Sequence, residues 1–375
     1  MRQVLFIFGT RPEAIKLSPI IRRMSAADSG LRVRVCATAQ HRELLDQVLG
    51  AFSIRPDVDL NLMSGGQTLY ESTARIVAAL EPVIAGDRPD IVIVQGDTTT
   101  TFCGALAAFY AKVPVGHVEA GLRTGDIHQP FPEEMNRRLT GRLADLHFAA
   151  TEWAAENLRR EGVAPETIHV TGNPGIDAVL FVVAELEAGR LPGGQWPQLD
   201  ARKKLIVVTA HRRESFGAGF EDVCTALWRL ADRGDVQIVY PVHPNPNVTA
   251  PVYGRLSGHP NILLREPLEY VPFVDLMRRA YLLLTDSGGI QEEGPSLGKP
   301  ILVMRNKTER PEAVEAGTVK LVGTDPERIT KEAARLLDDP DLQRSMARVH
   351  NPYGDGRASD RILALIHSFL DKKSS

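Results

Sequence analysis

The chain has 375 residues, of which 43% are hydrophobic and 24% are charged. This length is typical of a globular protein with about two domains, and the composition excludes a low-complexity or collagen-like chain. Lysine and arginine (44) nearly balance aspartate and glutamate (47), which gives a net charge of −3. So balanced a chain lacks the overall positive field of a non-specific nucleic-acid binder, and we expect no nucleic-acid partner.

Cysteine usage and hydropathy indicate a cytoplasmic protein. Cys36, Cys103 and Cys224 are odd in number, far apart and outside any CxxC pair. This favours buried apolar side chains in a reducing compartment over disulfides, a metal site or a nucleophile. The apolar run at residues 4–8 is too short for a signal peptide. No run approaches the roughly 18 apolar residues of a membrane span, so we expect no membrane contact.

Short β-branched runs alternate with helix-length segments along the chain. The first predicted strands span residues 4–8, 33–37, 91–94, 115–118 and 147–149, with helices over 13–26, 42–52, 68–84, 99–110 and 134–143. A second series of strands spans 205–209, 237–240, 262–264, 282–285 and 301–303, with helices such as 220–232 and 273–279. This rhythm predicts the α/β class, with two doubly wound, Rossmann-like domains facing a cleft. We expect an N-terminal domain of residues 1–170 plus a returning helix over 358–375, and a nucleotide-binding domain of residues 171–357.

Polar motifs of the first half follow predicted strands, where ligands of such sheets bind. The run Phe8-Gly9-Thr10-Arg11-Pro12 ends the first strand, and together with Lys16 it offers positive charge at a helix N-terminus, which favours anions. Asp97 lies between a glycine and four threonines, more hydroxyls than a helix cap requires. With Glu119 and Glu133, three carboxylates converging on one edge of the sheet would form a candidate acid–base set.

A structural interpretation of the same motifs stays open. The first motif is also compatible with a solvated strand–helix turn, and Asp97 or a threonine with a simple N-cap. Acidic residues in a first helical turn often only balance the helix dipole, which suits Glu134 better than Glu133.

The second half carries motifs suited to a nucleoside diphosphate. His211 precedes two arginines at a strand end, and His243 follows the next strand. A lone histidine is often structural, but two at equivalent strand ends favour a site. Ser287-Gly288-Gly289 leads from a strand into a helix, so its backbone N–H groups could cradle a diphosphate, while Glu293 could accept from ribose hydroxyls. No GxGxxG or HExxH motif and no Cys/His cluster occurs, so we expect no cofactor and no protein-built metal site.

Together these motifs closely resemble the non-hydrolysing UDP-N-acetylglucosamine 2-epimerases. The resemblance covers nearly the whole chain, through FGTRPEAIKLSP, TAQHRELLDQVL, GDTTTT, GHVEAGLRTGD, PEEMNRR, AHRRESFG, YPVHPNPNV, TDSGGIQEEGPSLGKP, TERPEAVEAGT and HNPYGDG. It implies a glycosyltransferase-B architecture, a homodimer and the interconversion of UDP-GlcNAc and UDP-ManNAc, which would supply bacterial surface polysaccharide synthesis.

The resemblance also implies roles for single residues. The catalytic residues would be Asp97, Glu119, Glu133 and His211. Nucleotide-sugar contacts would come from Arg11, Lys16, His243, Leu268, Phe273, Ser287, Gly288, Gly289, Glu293 and Arg310, with Phe273 at the uracil and Arg310 as a second anchoring cation. A second, allosteric substrate site known in some members would begin at Gln40, His41 and Arg42, although Glu43 and Gly66 differ from the side chains of regulated members.

Chemistry restricts how the C2 centre of such a sugar can be inverted. The C2 proton has no adjacent carbonyl, and transient oxidation would need a dinucleotide site. Expelling UDP first gives C1 oxocarbenium character, acidifies the C2 proton and leaves 2-acetamidoglucal, to which UDP can add again after protonation on the other face. This route needs carboxylates of different protonation state and cations on the diphosphate. His211, Arg11 and Arg310 would stabilise the leaving group, and the sequence leaves the base and the acid unassigned.

Three other functions remain open from the sequence. A glycosyltransferase of the same architecture would pass the sugar to an acceptor, although it would need fewer carboxylates near C2. A hydrolysing epimerase would release free N-acetylmannosamine. A nucleotide-sugar sensor would bind UDP-GlcNAc without turning it over.

Overall fold

The structure is a computed structural model that describes residues 1–38, 42–62 and 66–374, without the side chains of residues 42–44 and 374. The chain divides into two compact units, one running to Phe181 and resuming at Tyr353, the other spanning Val182–Pro352. The predicted domains, 1–170 with 358–375 and 171–357, put the first boundary before the helix Pro174–Glu187 rather than within it. They stay a prediction.

The described part of the first unit is built on a seven-stranded parallel sheet. Its strands are β1 (Arg2–Phe8), β2 (Leu31–Ala37), β3 (Val58–Asp59), β4 (Ile91–Gln95), β5 (Val115–Ala120), β6 (Leu146–Ala149) and β7 (Ile168–Val170). Its helices are α1 (Arg11–Ser25), α2 (Arg42–Ala51), α3 (Leu69–Asp87), α4 (Thr99–Tyr110), α5 (Glu133–Leu143), α6 (Glu152–Arg160) and α7 (Pro174–Glu187), the last crossing into the second unit. The strand order is β3-β2-β1-β4-β5-β6-β7.

The second unit repeats this plan with six parallel strands in its described residues. They are β8 (Lys204–Thr209), β9 (Val236–Pro241), β10 (Ile262–Arg265), β11 (Leu282–Thr285), β12 (Ile301–Val303) and β13 (Val319–Leu321), in the order β10-β9-β8-β11-β12-β13. The helices are α8 (Ala218–Ala231), α9 (Pro246–Leu256), α10 (Tyr270–Arg279), α11 (Gly288–Glu293), α12 (Pro311–Glu315), α13 (Pro326–Asp338) and α14 (Pro340–Ala347). A terminal helix, α15 (Ala358–Ser374), belongs to the first unit.

The central strands are continuous apolar runs because helices cover both faces of a parallel sheet. The last five residues of β1 and the first four of β4 are fully buried. The three cysteines are free and buried, which confirms their interpretation as core side chains. Burial raises the pKa of the Cys36 thiol to about 12. None of the helices in the described ranges is long and apolar enough to cross a membrane.

The predicted α/β class with two doubly wound parallel sheets is confirmed. All ten predicted strands are present, with ends shifted by at most two residues. The prediction missed the short strands β3, β7 and β13, which lie at sheet edges. Strands of two or three residues show no hydrophobic periodicity, so only pairing with a neighbour identifies them.

Strand order determines where ligands can bind in each unit. In the first sheet β1 lies between β2 and β4, and in the second β8 lies between β9 and β11. The connections therefore leave in opposite directions at β1/β4 and at β8/β11. Crevices at the carboxyl ends of such strand pairs are the usual ligand sites of doubly wound sheets.

We predict that Gly9→Ala destabilises the first unit. A Cβ at Gly9 would lie 2.4 Å from Thr38 Oγ1 and 2.5 Å from Thr100 Oγ1, which are themselves hydrogen-bonded at 2.9 Å. Relieving such overpacking costs about 1–3 kcal/mol. The free energy of unfolding, from denaturant titration followed by circular dichroism, should fall accordingly.

Gly86→Ala in α3 is the matched control, because a Cβ there meets no atom within 4 Å. It should leave stability unchanged or raise it by up to about 1 kcal/mol, since alanine favours helix over glycine. Equal stability of Gly9→Ala and the wild type would contradict the close approach of the loop to the two threonines.

Candidate functional site

One buried carboxylate, that of Glu13, ties together the connections that follow β1 and β4. Its Oε2 accepts the backbone N–H groups of Gly9 (3.1 Å) and Thr10 (2.7 Å). Its Oε1 accepts the hydroxyl of Thr98 (2.9 Å) and lies 3.1 Å from the hydroxyl of Thr101. Burial raises the pKa of Glu13, although these hydrogen bonds oppose the rise. The relative placement of the basic and acidic motifs therefore depends on Glu13, to which the sequence assigned no role.

A buried histidine holds the turn before Asp97. His117 on β5 has Nε2 2.8 Å from the carbonyl oxygen of Gly96. Because a carbonyl only accepts, Nε2 carries the proton. Burial lowers the pKa of His117 to about 3, so the ring is neutral at physiological pH. Gly96 itself has φ 76°, a conformation that glycine adopts without strain.

Asp97 is held from the first turns of α5. Arg137 Nη2 lies 2.5 Å from Asp97 Oδ2, and Asn136 Nδ2 donates to the Asp97 carbonyl oxygen at 2.9 Å. Arg137 also donates to Oε2 of the buried Glu134 at 2.9 Å, and the same oxygen accepts the Thr124 N–H at 3.1 Å. Glu134 is thus an internal anchor for Arg137, which goes beyond the dipole partner suggested by the sequence.

Glu119 lies inside β5, and not after the strand as the sequence suggested. The register with β6 shifts at this residue, and its φ of 65° is in the left-handed region that side chains rarely adopt. Such strain clusters at functional sites. The bulge brings the carboxylate beside Gly96, where a Cβ would lie 3.5 Å from Glu119 Oε2. Lys16 and Gln95 both donate to this carboxylate.

Glu133 has different surroundings from the other two carboxylates. It is half-buried and is the first residue of α5, one turn before the side chains that hold Asp97. Within the described residues, Asp97 and Glu119 each pair with a cation, and no cation lies within ion-pair distance of Glu133. Different electrostatic surroundings are how one site obtains carboxylates of different proton affinity. Arg11, also half-buried, begins α1 after the first loop.

Three of the four threonines after Asp97, namely Thr98, Thr100 and Thr101, form hydrogen bonds through their hydroxyls within the protein. Thr98 caps α4 by accepting the Thr101 N–H at 3.1 Å. Thr101 donates its hydroxyl to the Gln95 carbonyl oxygen at 2.6 Å, and Thr100 shares a hydrogen bond with Thr38. They therefore shape the loop that presents Asp97.

In the second unit, a buried aspartate links the loops after β8 and β11. Oδ2 of Asp286, a residue that is 1% exposed, accepts the N–H groups of His211 (2.6 Å) and Arg212 (2.7 Å). Oδ1 lies 3.1 Å from His211 Nδ1. The sequence placed Asp286 inside a motif without a role, because which loop it contacts is a property of the folded sheet.

His243 stacks on His211. The ring centroids are 5.5 Å apart and the planes differ by 16°. Nδ1 of His243 accepts the Asn245 N–H at 3.2 Å. Burial, and then the neighbouring His211, lower the pKa of His243. The two histidines predicted at equivalent strand ends are therefore in direct contact.

Arg310 packs directly against the glycine loop. A Cβ on Gly288 would lie 2.4 Å from the Arg310 guanidinium carbon, so glycine is required for this approach. Arg310 donates to Glu292 at 2.7 Å and to Glu309 at 2.8 Å. Burial alone would raise the pKa of Glu309, but Arg310 and Arg305 lower it to about 2. Carboxylates thus balance the cations beside this loop.

The other predicted residues of the second unit lie on α11, on α10 and in the segment before α10. Ser287 precedes α11, Gly289 lies in its first turn, and Glu293 is its last residue. Burial, and then the charge of Glu293, raise the pKa of Tyr270, so the start of α10 lies near Glu293. Phe273 follows one turn later on α10 and is half-buried, as is Leu268 before the helix.

In the first unit, Lys16 contacts Glu119 beside the turn before Asp97, and in the second, His211 contacts His243 while Arg310 packs against Gly288. Gln40 and His41 lie outside the described residues, and Arg42 begins α2 with a side chain that is not described. Across residues 1–38, 42–62 and 66–374, no group of His, Cys, Asp and Glu side chains has the arrangement of a metal site.

Comparisons with known proteins give consistent matches over nearly the full chain. The family model described as UDP-N-acetylglucosamine 2-epimerase matches residues 23–367. A UDP-N-acetylglucosamine 2-epimerase of Escherichia coli K12 is 58% identical over 367 residues, covering 96% of this chain and 97% of that protein. The crystal structure of UDP-GlcNAc 2-epimerase from Neisseria meningitidis bound to UDP-GlcNAc is 47% identical with a TM-score of 0.90, covering 98% of this chain and 100% of that one.

A more distant structure has the same fold. The UDP-GlcNAc 2-epimerase of Methanocaldococcus jannaschii, in complex with UDP-GlcNAc and UDP, is 32% identical with a TM-score of 0.78 and covers 98% of this chain and 100% of that one. These neighbours have the glycosyltransferase-B-like fold, which confirms the predicted fold class. On the family match and the identity over nearly the whole length, the chain belongs to the family of non-hydrolysing UDP-N-acetylglucosamine 2-epimerases.

Proposed function

We propose that this protein interconverts UDP-GlcNAc and UDP-ManNAc by eliminating UDP and adding it back. The observation that carries the proposal is that Asp97 and Glu119 both lie beside the Gly96 turn and that each forms an ion pair with its own cation. Family membership supports the substrate, since related structures are described with UDP-GlcNAc or UDP bound.

The proton chemistry is assigned to the first unit. Asp97, Glu119 and Glu133 are proposed to remove the C2 proton and to return one on the opposite face. Their different surroundings support this division of labour, because Asp97 and Glu119 are each paired with a cation. Lys16 holds Glu119, and Arg11 is proposed to contact the nucleotide sugar.

The leaving group is assigned to the second unit. As the C1–O bond breaks, its electron pair passes to UDP, and the negative charge on the diphosphate needs fixed donors and cations. The loop Ser287–Gly289, His211 and Arg310 are proposed to supply them, and His243 to support His211. Their contact through Asp286 and Gly288 supports a preorganised diphosphate site.

The nucleoside part is assigned to residues around α10 and α11. Glu293 is proposed to accept hydrogen bonds from the ribose hydroxyls, and Phe273 and Leu268 to contact the uracil. The route involves no net oxidation, so it needs no redox cofactor. A second substrate site at Gln40, His41 and Arg42 stays a prediction.

The setting of the reaction is also part of the proposal. We place it in the cytoplasm, where the buried thiols stay reduced, with UDP-ManNAc passing to surface polysaccharide synthesis. We further propose a homodimer. Support for a partner surface comes from the 57% exposed Phe109 and 67% exposed Tyr110 of α4, next to a groove of ≈ 410 Å³ between α3 and α4.

The first test of the function is epimerisation of UDP-GlcNAc in D2O. Elimination and re-addition exchange the C2 proton with solvent, so UDP-ManNAc and recovered UDP-GlcNAc should both carry deuterium at C2. Proton NMR of UDP-GlcNAc incubated alone with the protein measures this directly.

The same spectra separate the alternatives. Free N-acetylmannosamine would identify a hydrolysing epimerase, and unchanged UDP-GlcNAc would favour a transferase or a sensor. UDP-ManNAc without deuterium would exclude the elimination route.

The second test is Glu133→Gln. Removing a general acid or base typically lowers turnover by about 10²–10⁴-fold. We expect kcat to fall in this range, with 2-acetamidoglucal and UDP accumulating if the return proton is lost. The measurement is the initial rate of UDP-ManNAc formation.

Glu152→Gln is the matched control, since Glu152 is also the first residue of a helix in the same unit but is exposed and paired with Arg159. It should leave kcat unchanged. Full activity of Glu133→Gln would remove Glu133 from the chemistry.

The homodimer is tested by light scattering coupled to size exclusion. The wild type should have twice the mass of one chain, and Tyr110→Glu should reduce it by placing a charge in the proposed apolar interface. Tyr253→Glu, at a 38% exposed tyrosine of the second unit, should not. A monomeric wild type would overturn the proposal.

A further inference from the structure

The Asp286 carboxylate makes three contacts with the loop after β8. It lies directly before the predicted diphosphate loop, so it joins that loop to the His211 loop. Tyr240 adds a further bond to this region by donating its hydroxyl to the Ala210 carbonyl oxygen at 3.0 Å. Both the backbone and the ring of His211 are therefore held in place by protein groups.

The contact also determines which nitrogen of His211 carries a proton. Burial alone would raise the pKa of Asp286, but hydrogen bonds from His211 and Arg212 hold it below its usual value, so the carboxyl is ionised at neutral pH. His211 Nδ1 lies 3.1 Å from Asp286 Oδ1, an oxygen without a well-aligned hydrogen-bond donor in the described residues. An unprotonated Nδ1 would place its lone pair against the ionised carboxylate and be repelled, so the electrostatics favour a proton on Nδ1. Nε2 is then the ring nitrogen that does not face Asp286.

The stacked neighbour restricts the ring further. With its Nδ1 accepting the Asn245 N–H, neutral His243 carries its proton on Nε2, the opposite tautomer to that inferred for His211. Turning the His211 ring by half a turn would remove the Nδ1 donor from Asp286. The orientation of Nε2 is therefore coupled to the aspartate.

We propose that Asp286 is a positioning residue that keeps His211 protonated on Nδ1 and directs its Nε2, which donates once it has taken up a proton, to an oxygen of a nucleoside diphosphate. This follows the logic by which a buried aspartate orients a catalytic histidine in hydrolytic triads. A carboxylate this close also compensates the imidazolium charge when His211 faces the departing diphosphate. Only the ligand rests on the proposed function, because the tautomer is a property of the free protein.

The direct test is long-range ¹H–¹⁵N NMR of the unliganded wild type labelled with ¹⁵N-histidine, in which His211→Gln identifies the His211 signals. We expect a protonated Nδ1 and an Nε2 whose ¹⁵N shift responds to added UDP. In Asp286→Asn the single remaining oxygen is needed to accept the backbone N–H groups of His211 and Arg212, which turns the amide NH2 towards the ring. A donor facing Nδ1 favours an unprotonated Nδ1, so the Nδ1–H pattern should be lost.

Turnover of Asp286→Asn should fall by about 10- to 100-fold, as is typical when a supporting hydrogen-bond partner is removed, with a smaller change in KM. The matched control is Asp232→Asn. His259 Nε2 lies 3.1 Å from Asp232 Oδ1, the same separation in the same unit. This control should alter only the His259 signals and leave turnover unchanged.

Wild-type His211 with its proton on Nε2 alone would overturn the proposal without any variant, as would an unaltered tautomer in a folded Asp286→Asn. If UDP does not shift Nε2, the proposed contact with the diphosphate is wrong. If the wild type shows the expected tautomer but has no epimerase activity, the proposed function is wrong and the positioning role of Asp286 stands.

Discussion

The candidate functional residues of each unit depend on a buried carboxylate at the point of the parallel sheet where successive connections leave in opposite directions. In the first unit Glu13 binds donors from the connections after β1 and β4, and in the second Asp286 binds donors from the loop after β8 while following β11. A buried carboxylate is costly unless donors surround it, so each of these acids is stable only when its loops are assembled. The hydrogen bonds that compensate the burial of each carboxylate therefore also fix the relative positions of its loops.

Charge balance is local in both units. Asp97 and Glu119 each have a cation, and Arg310 lies between Glu292 and Glu309. A net charge of −3 is therefore compatible with a site for a polyanion, because local cations such as Lys16, Arg137 and Arg310 act at the strand ends whatever the overall charge.

The sequence predicted candidate site residues at strand ends but did not predict the hydrogen bonds that hold them. The motifs at strand ends marked Asp97, His211 and Ser287–Gly289, because a polar run after an apolar strand is visible in one dimension. Glu119 was placed after its strand, since a bulge with φ 65° leaves no periodicity. The sequence suggested only a dipole partner for Glu134. Its hydrogen bond to Arg137 spans three residues, but Arg137 in turn holds Asp97, which is 40 residues away in another loop.

By itself the sequence determined the α/β class, the ten longer strands and the strand ends that carry chemistry, because local hydrophobic period and glycine-rich turns encode them. The resemblance carried by its motifs identified the family. Only the tertiary structure decided that Glu13, His117 and Asp286 support the site. Their partners are distant in sequence: Glu13 and Thr101 are 88 residues apart, His117 and Gly96 are 21, and Asp286 and His211 are 75. Contacts at such separations arise from strand order, which no local pattern records.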